Sequence, residues 1–340
     1  MKKRDTCLIF GGKSEEYEVS LRSVCFVLEN IDYSLFDVTV IGITRDGKWY
    51  YYEGDTDKIL SDRWQENAYE QVIIDFARSC FIKSGKPYLP DIVFPVMHGS
   101  IYESGALQGM FDNLGIPVFG CGLTSSCLCF NKHLTKAVAR AHKIPVARDI
   151  LVSQAELDSF FEIICKANKL EYPLFVKPSS SGSSCGITKV YKPCMLYEAV
   201  KLALELSPYA IIEEQIVGSE CEIVLYEKNG ALLTTPVGKI KHSGDFYDYK
   251  TKYHSTKNEY EIPAIIQGET ENELARMARV LFRALGCSSL ARFDFFVSEN
   301  KEITFNEVNT LPGLTCDSML PMLFNAGGIA PKELLTLLLG

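Results

Sequence analysis

Glu307-Val308-Asn309-Thr310-Leu311-Pro312-Gly313 follows Ala291-Arg292-Phe293-Asp294 closely enough near the C-terminus to bring two carboxylates and a carboxamide together. A strand closing at Asp294, the polar turn Ser298-Glu299-Asn300-Lys301 and a second strand from Ile303 to Val308 read as a hairpin. Residues i and i+2 of a strand point to one face, so Glu307 and Asn309 can address one ion together with Asp294. Magnesium prefers hard oxygen ligands and completes its shell with water or substrate phosphates, so a few protein oxygens suffice beside a nucleotide. Taken alone, the two acids read equally well as solvated charges on a hairpin.

A chain of 340 residues exceeds what one core usually serves, so two or three domains are expected. A formal charge of −8 argues against a general nucleic-acid binder, which would present a basic face. The start reads as a first strand rather than a signal peptide, because the apolar run Cys7-Leu8-Ile9-Phe10 stops at Gly11-Gly12. No window approaches the roughly 18 apolar residues of a membrane span, so no membrane partner is expected. The twelve cysteines are scattered with no Cys-x-x-Cys pair, which suits reduced, mostly buried thiols in a cytoplasmic protein.

Strand and helix patterns alternate through the first third. Strands are predicted at Thr6 to Phe10, Phe36 to Ile43, Asp91 to Met97 and Pro117 to Phe119, with helices at Val19 to Asn30 and Gly105 to Leu114. Such alternation predicts an open parallel α/β sheet whose ligands sit beyond the C-terminal strand ends, where Gly11 to Glu16 and His98-Gly99 fall. Lys58 to Lys86 looks like an irregular surface insertion. One helix is predicted from Ser125 to His142, then strands at Pro173 to Lys177 and Ile187 to Tyr191, a helix at Met195 to Glu205 and a strand at Tyr209 to Glu214. The polar stretch Lys241 to Tyr260 reads as a long loop, and loops of that length inside a domain are commonly lids.

Two further segments carry chemistry. Lys177-Pro178-Ser179-Ser180-Ser181-Gly182-Ser183-Ser184-Cys185-Gly186 follows a strand with small residues whose amides can cradle phosphate, though it lacks a Walker A ending. In Ile211-Ile212-Glu213-Glu214-Gln215-Ile216-Val217-Gly218-Ser219-Glu220 an apolar strand breaks into acids. Its edge can serve adenine, with Glu213 accepting from the exocyclic amine and Glu220 from ribose hydroxyls. A surface turn and exposed acids are the plainer readings of these two segments.

In order along the chain, Lys132, Lys177, the acidic strand and the acid-acid-amide set resemble an ATP-grasp enzyme. The chain resembles the D-alanine-D-alanine ligase family over nearly its whole length. The motifs are Gly11 to Leu21, His98-Gly99 with Glu103 to Gly109, the Lys177 loop, Tyr247-Asp248-Tyr249 with Lys252-Tyr253, Arg292-Phe293-Asp294, and Asn306 to Gly313. The opening and closing motifs look especially like the D-alanine-D-serine ligases of vancomycin-resistance type. The resemblance implies an ATP-grasp fold: an N-terminal open parallel α/β domain over 1–122, then two ATP-grasp lobes over 123–207 and 208–340.

It further implies an ATP-dependent ligase that phosphorylates D-alanine and joins it to D-alanine or D-serine through an acyl phosphate, for peptidoglycan precursor synthesis. Magnesium, or manganese in its place, would be held by Asp294, Glu307 and Asn309. Nucleotide would be bound by Lys132, Lys177, Ser184, Glu213, Ile216, Glu220 and Lys252. Glu16 and His98 would serve the first D-alanine, and Gly313, Ser318 and Met319 the second substrate. Glu16, Ser183, Tyr253, Arg292 and Ser318 would be the catalytic groups, with Arg292 stabilising the oxyanion. The family also implies a cytoplasmic homodimer. Another ATP-grasp carboxylate-amine ligase, or a non-catalytic nucleotide-binding descendant, remain as alternatives.

Two departures stand out. Tyr102 replaces a glycine usual after the histidine. In Thr315-Cys316-Asp317-Ser318-Met319, Asp317 and Met319 match neither the His-Ser-Leu of D-alanine-adding members nor the His-Ser-Arg of many D-serine-adding ones.

Overall fold

The computed structural model describes residues 2–241, 259–266 and 268–340. Its first layer is a five-stranded sheet. Arg4–Gly11 pairs in parallel with Phe36–Ile43 on one side and Ile92–Val96 on the other. Parallel neighbours need a crossover, and the helix Tyr17–Asn30 supplies the first, burying Leu21, Val24 and Val27. Gly11 ends the central strand with φ +83°, and a Cβ there would lie 2.3 Å from the Ile43 carbonyl oxygen. Glycine is therefore required where the chain turns into the loop leading to Glu16.

A four-stranded sheet follows in the order Thr188–Val190, Leu174–Pro178, Tyr209–Glu214, Asp149–Ser153, with its neighbouring strands antiparallel. The helix Leu196–Leu206 buries Leu196, Ala199, Val200 and Ala203 in the same core as Leu174, Val176 and Ile212. The largest sheet centres on Ser219–Lys228, flanked by Leu290–Val297 and Ile303–Asn309 on one side and by Gly238–Lys241 and Glu259–Glu261 on the other. The helix Gly268–Ala284 buries Leu274, Ala278 and Leu281 in one core with Phe293 and Phe305 of that sheet.

The chain's two ends share a core. Leu8, Phe10 and Phe94 cluster with Tyr226, Phe324 and Leu335, the last two from the helices Met319–Ala326 and Pro331–Leu339. Each such side chain contributes about 1.5–3 kcal/mol on burial, which ties the first sheet firmly to the third. Arg4 Nη1 also donates to the Gly340 carbonyl oxygen at 2.8 Å. Among the described residues no single helix is long and apolar enough to cross a membrane.

Several local expectations change. The helix predicted from Ser125 to His142 is two, Leu123–Phe130 and Lys132–Ala141. Asn131 is extended between them, and its side chain accepts from Leu134 N at 3.0 Å, an N-cap that starts the second helix afresh. Pro117 to Phe119 forms only an isolated bridge, Val93 to Val118. The presumed irregular insertion is ordered: Ala68–Gln71 pairs with Trp49–Tyr52, and Ile73–Asp75, Cys80–Lys83 and Lys86–Tyr88 make a small sheet. Tyr209–Glu214, expected to lead into the last region, pairs within the middle sheet. The lid residues Lys252 and Tyr253, with Tyr247 to Tyr249, lie outside the described residues. The strands on either side of that gap, Gly238–Lys241 and Glu259–Glu261, pair with each other.

Candidate active site

The hairpin forms, with Asp294 opposite Glu307 and Arg292 opposite Asn309. On the other flank Glu222 stands opposite Asp294. Arg292 donates from Nε and Nη2 to the two oxygens of Asp294, each at 2.8 Å, and its Nε lies 3.0 Å from Glu222 Oε2. Burial raises the Asp294 pKa; Arg292 pulls it back, while Glu307 and Glu220 push it further up. Ligand oxygens of Glu220, Glu222 and Asp294 lie within 4.8 Å of one another. These clustered carboxylate oxygens are hard donors, a chemistry that fits magnesium or manganese. The expected partners Glu307 and Asn309 lie outside this cluster, on the strand that flanks Asp294 from the other side; Asn309 stands opposite Arg292 and its Oδ1 accepts from Leu311 N at 2.9 Å.

Between the middle and last sheets lies a cavity of about 760 Å³ lined by Lys132, Lys177, Ser184, Glu213, Ile216, Glu220 and Glu307, among others. Lys132 Nζ donates to the Ser181 carbonyl at 2.7 Å and lies 3.2 Å from Glu307 Oε2. Glu213, expected to accept from a ligand amine, is already engaged by two lysines. One of its oxygens takes Lys177 Nζ at 2.5 Å and the other takes Lys136 Nζ. Burial opposes ionisation of Glu213, yet the two ammonium groups outweigh it and hold the pKa at about 2. Burial, only partly offset by Glu213, brings Lys136 down to about 8. In the facing loop Ser183 and Ser184 adopt φ of +51° and +55°. Left-handed backbone costs non-glycine residues about 1–2 kcal/mol each, so this loop stores strain at the cavity wall.

A second cavity of about 430 Å³ adjoins the first and shares Lys132, Ser181, Gly182, Ser183 and Glu307 with it. Glu16, His98 and Glu103 meet at one end, with ligand atoms within 4.8 Å of one another. Ser183 Oγ donates to Glu16 Oε1, joining the strained loop to the first sheet. His98 Nδ1 lies 3.2 Å from the Leu311 carbonyl oxygen and Nε2 lies 3.0 Å from Ser23 Oγ. Burial lowers its pKa to about 4, so the ring is neutral and ties the first sheet to the loop after Asn309. At the other end are Gly313, Asp317, Ser318 and Met319. Ser318 Oγ accepts from Thr315 N at 3.1 Å, and a Cβ on Gly313 would meet it at 2.8 Å.

Of the described site residues all but Asp294 line these two contiguous cavities; Asp294 is buried behind Arg292 and lines neither. Sequence reading missed Lys136 and Glu222 and gave Glu103 no role. Two of these carried a periodic signal: Lys136 is one helical turn beyond Lys132, and Glu222 shares a strand face with Glu220.

The fold is that of the ATP-grasp ligases, shared with solved structures of the D-alanine-D-alanine ligase kind, and the larger cavity lies between its two lobes. The family descriptions "D-ala D-ala ligase N-terminus" and "D-ala D-ala ligase C-terminus" match residues 5–121 and 138–340, and the chain belongs to that family. It is 38% identical to a D-alanine-D-alanine ligase of Acetivibrio thermocellus, covering 98% of this chain and 94% of the relative. A D-alanine-D-alanine ligase B of Clostridium tetani is 37% identical over 96% of this chain and 90% of its own. Among solved structures, the VanG D-Ala:D-Ser ligase from Enterococcus faecalis superposes with TM-score 0.91 at 38% identity, covering 100% of this chain and 99% of that one.

Proposed function

We propose that this enzyme uses ATP to join D-alanine to a second small D-amino acid, D-alanine or D-serine, making a dipeptide precursor of peptidoglycan. The observation that carries the reading is the common wall of the two cavities, where Lys132 and Glu307 face both. ATP in the larger cavity would present its γ-phosphate over Lys132, Lys177 and the Ser183-Ser184 amides. D-alanine in the smaller one would place its ammonium by Glu16 and Glu103, bringing its carboxylate toward that phosphate.

Attack by the carboxylate oxygen on the γ-phosphorus gives an acyl phosphate and ADP. The deprotonated amine of the second amino acid, placed beside Gly313, Ser318 and Met319, then attacks the acyl carbon and phosphate leaves. Arg292, held rigid by Asp294 and Glu222, faces the oxyanion that develops in that step. Asp294 and Glu307, with Asn309 or Glu220 and Glu222 completing the set, would hold magnesium or manganese, whose chemistry there is to offset phosphate charge. The lid residues Lys252 and Tyr253 would close over the acyl phosphate and keep water out.

We further propose three units, with the middle lobe running through Glu214, since Tyr209–Glu214 pairs within its sheet. A cytoplasmic homodimer completes the reading. Phosphate release from ATP with purified protein, magnesium and D-alanine, with or without D-serine, tests it. No turnover with any D-amino acid would overturn it, and turnover with other acceptors alone would reassign the substrate.

A further inference from the structure

We infer that Tyr102 is a positioning residue for the first D-alanine, locking the loop that carries Glu16 to the turn that carries Glu103. The inference rests on the reading that those two carboxylates hold the substrate ammonium.

The two segments interlock reciprocally. Gly12 has φ +107°, and a Cβ there would lie 2.2 Å from Tyr102 Oη and 2.5 Å from Cζ, so the phenol ring rests directly on the glycine. Tyr102 Oη also accepts from Lys13 N at 3.0 Å. In return Ser14 Oγ donates to the His98 carbonyl at 2.7 Å and occupies the place a Cβ on Gly99 would take. Each clasp bears on a carboxylate. Ser14 Oγ accepts from Glu16 N at 3.0 Å, and Glu103 Oε1 accepts from Gly99 N at 3.0 Å.

The ring cannot swing away to relax the clasp. It is 7% exposed and packs in one core with Ile9, Val93, Met97 and Leu107. Both carboxylates converge on Gly182 of the small-residue loop, whose Cβ position lies 3.7 Å from Glu16 Oε1 and 3.7 Å from Glu103 Oε2. Their separation therefore decides whether one ammonium can touch both, and Tyr102 sets that separation without touching substrate.

The test is initial rates of phosphate release across D-alanine concentrations, fitted with separate first-site and second-site constants, for Tyr102→Phe, Tyr102→Gly and Glu16→Gln. Tyr102→Phe keeps the ring on Gly12 and loses one hydrogen bond, so its first-site constant rises about fivefold. Tyr102→Gly frees both segments and raises it about ten- to a hundredfold, with the ATP constant within about twofold of wild type. A first-site constant unchanged in both variants overturns the inference, as does a parallel rise of the ATP constant. If Tyr102→Gly does not fold, Tyr102→Phe decides alone. Glu16→Gln separates the two levels: an unchanged constant there overturns the ammonium reading itself, and with it this inference. A raised constant in Glu16→Gln but in neither Tyr102 variant removes only the role of Tyr102.

Discussion

Glu222 and Asp294 stand opposite each other on adjacent antiparallel strands, and one guanidinium, that of Arg292, reaches both. A planar fork can span two carboxylates at once, whereas an ammonium is a single point charge. Arg292→Lys is therefore expected to fold, since a cation still faces the acids, but to leave the oxyanion poorly served. Losing one such donor costs about 10²–10³ in kcat. Steady-state phosphate release measures this, and a rate within threefold of wild type would remove Arg292 from the chemistry.

Glu307 meets Lys132 on one side and Asp294 across the hairpin, so it stands where the proposed phosphate wall and the proposed metal site would join. Glu307→Gln keeps the shape and removes the charge. The expected result is a folded protein with turnover down about a hundredfold and a higher magnesium concentration for half activity. Chelator should abolish wild-type turnover, and added magnesium or manganese should restore it. A Glu307→Gln enzyme with the wild-type magnesium dependence would contradict the metal assignment.

Lys136 gives a stability prediction with a defined pH sign. Its pKa falls from 10.5 to about 8 on folding because burial disfavours the charge. Between those values the unfolded chain holds a proton that the folded one has released, so stability attributable to Lys136 rises with pH through that window. Lys136→Met lacks this titration. The stability difference, wild type minus variant, should grow by about 2 kcal/mol between pH 8 and pH 9.5, at about 1.4 kcal/mol per pH unit. Urea unfolding of both proteins at each pH reads it, and a difference that stays flat or shrinks would show that the folded protein keeps the Lys136 proton through this window and would contradict the lowered pKa.

The hairpin was legible because strand periodicity and a polar turn are local signals, and Asp294 and Glu307 do stand opposite each other. The order of lysines and acids along the chain likewise anticipated the wall of the larger cavity. Tertiary partners were not legible. Glu213 looked like an acceptor for a ligand amine, but two lysines from separate elements converge on it, and no spacing announces that. The helix break at Asn131 escaped for a related reason. Apolar periodicity runs through it, while the cap and the bond that Ser179 Oγ donates to Asn131 Oδ1 at 3.1 Å depend on the neighbouring strand end. Glu222 went unnoticed because a buried acid is unexpected until Arg292 is seen beside it.

In the proposed reaction the choice of second amino acid would turn on Met319, which lines the smaller cavity, is 5% exposed and lies close to Gly238 and Leu323. Its side chain is apolar and suits a methyl group, but an apolar wall rejects an added hydroxyl only weakly, by about a hundredfold. D-serine is therefore expected to compete measurably with D-alanine in the wild type, with D-alanine preferred by less than about 200-fold. Met319→Arg would add a donor beside the second substrate and shift the product ratio toward D-alanyl-D-serine by about tenfold. Met319→Leu, nearly equal in volume and equally apolar, should leave the ratio unchanged. Product analysis with both amino acids present distinguishes these cases. If Met319→Arg and Met319→Leu give the same ratio as wild type, the acceptor is chosen elsewhere, and Asp317 on the same wall becomes the residue to change next.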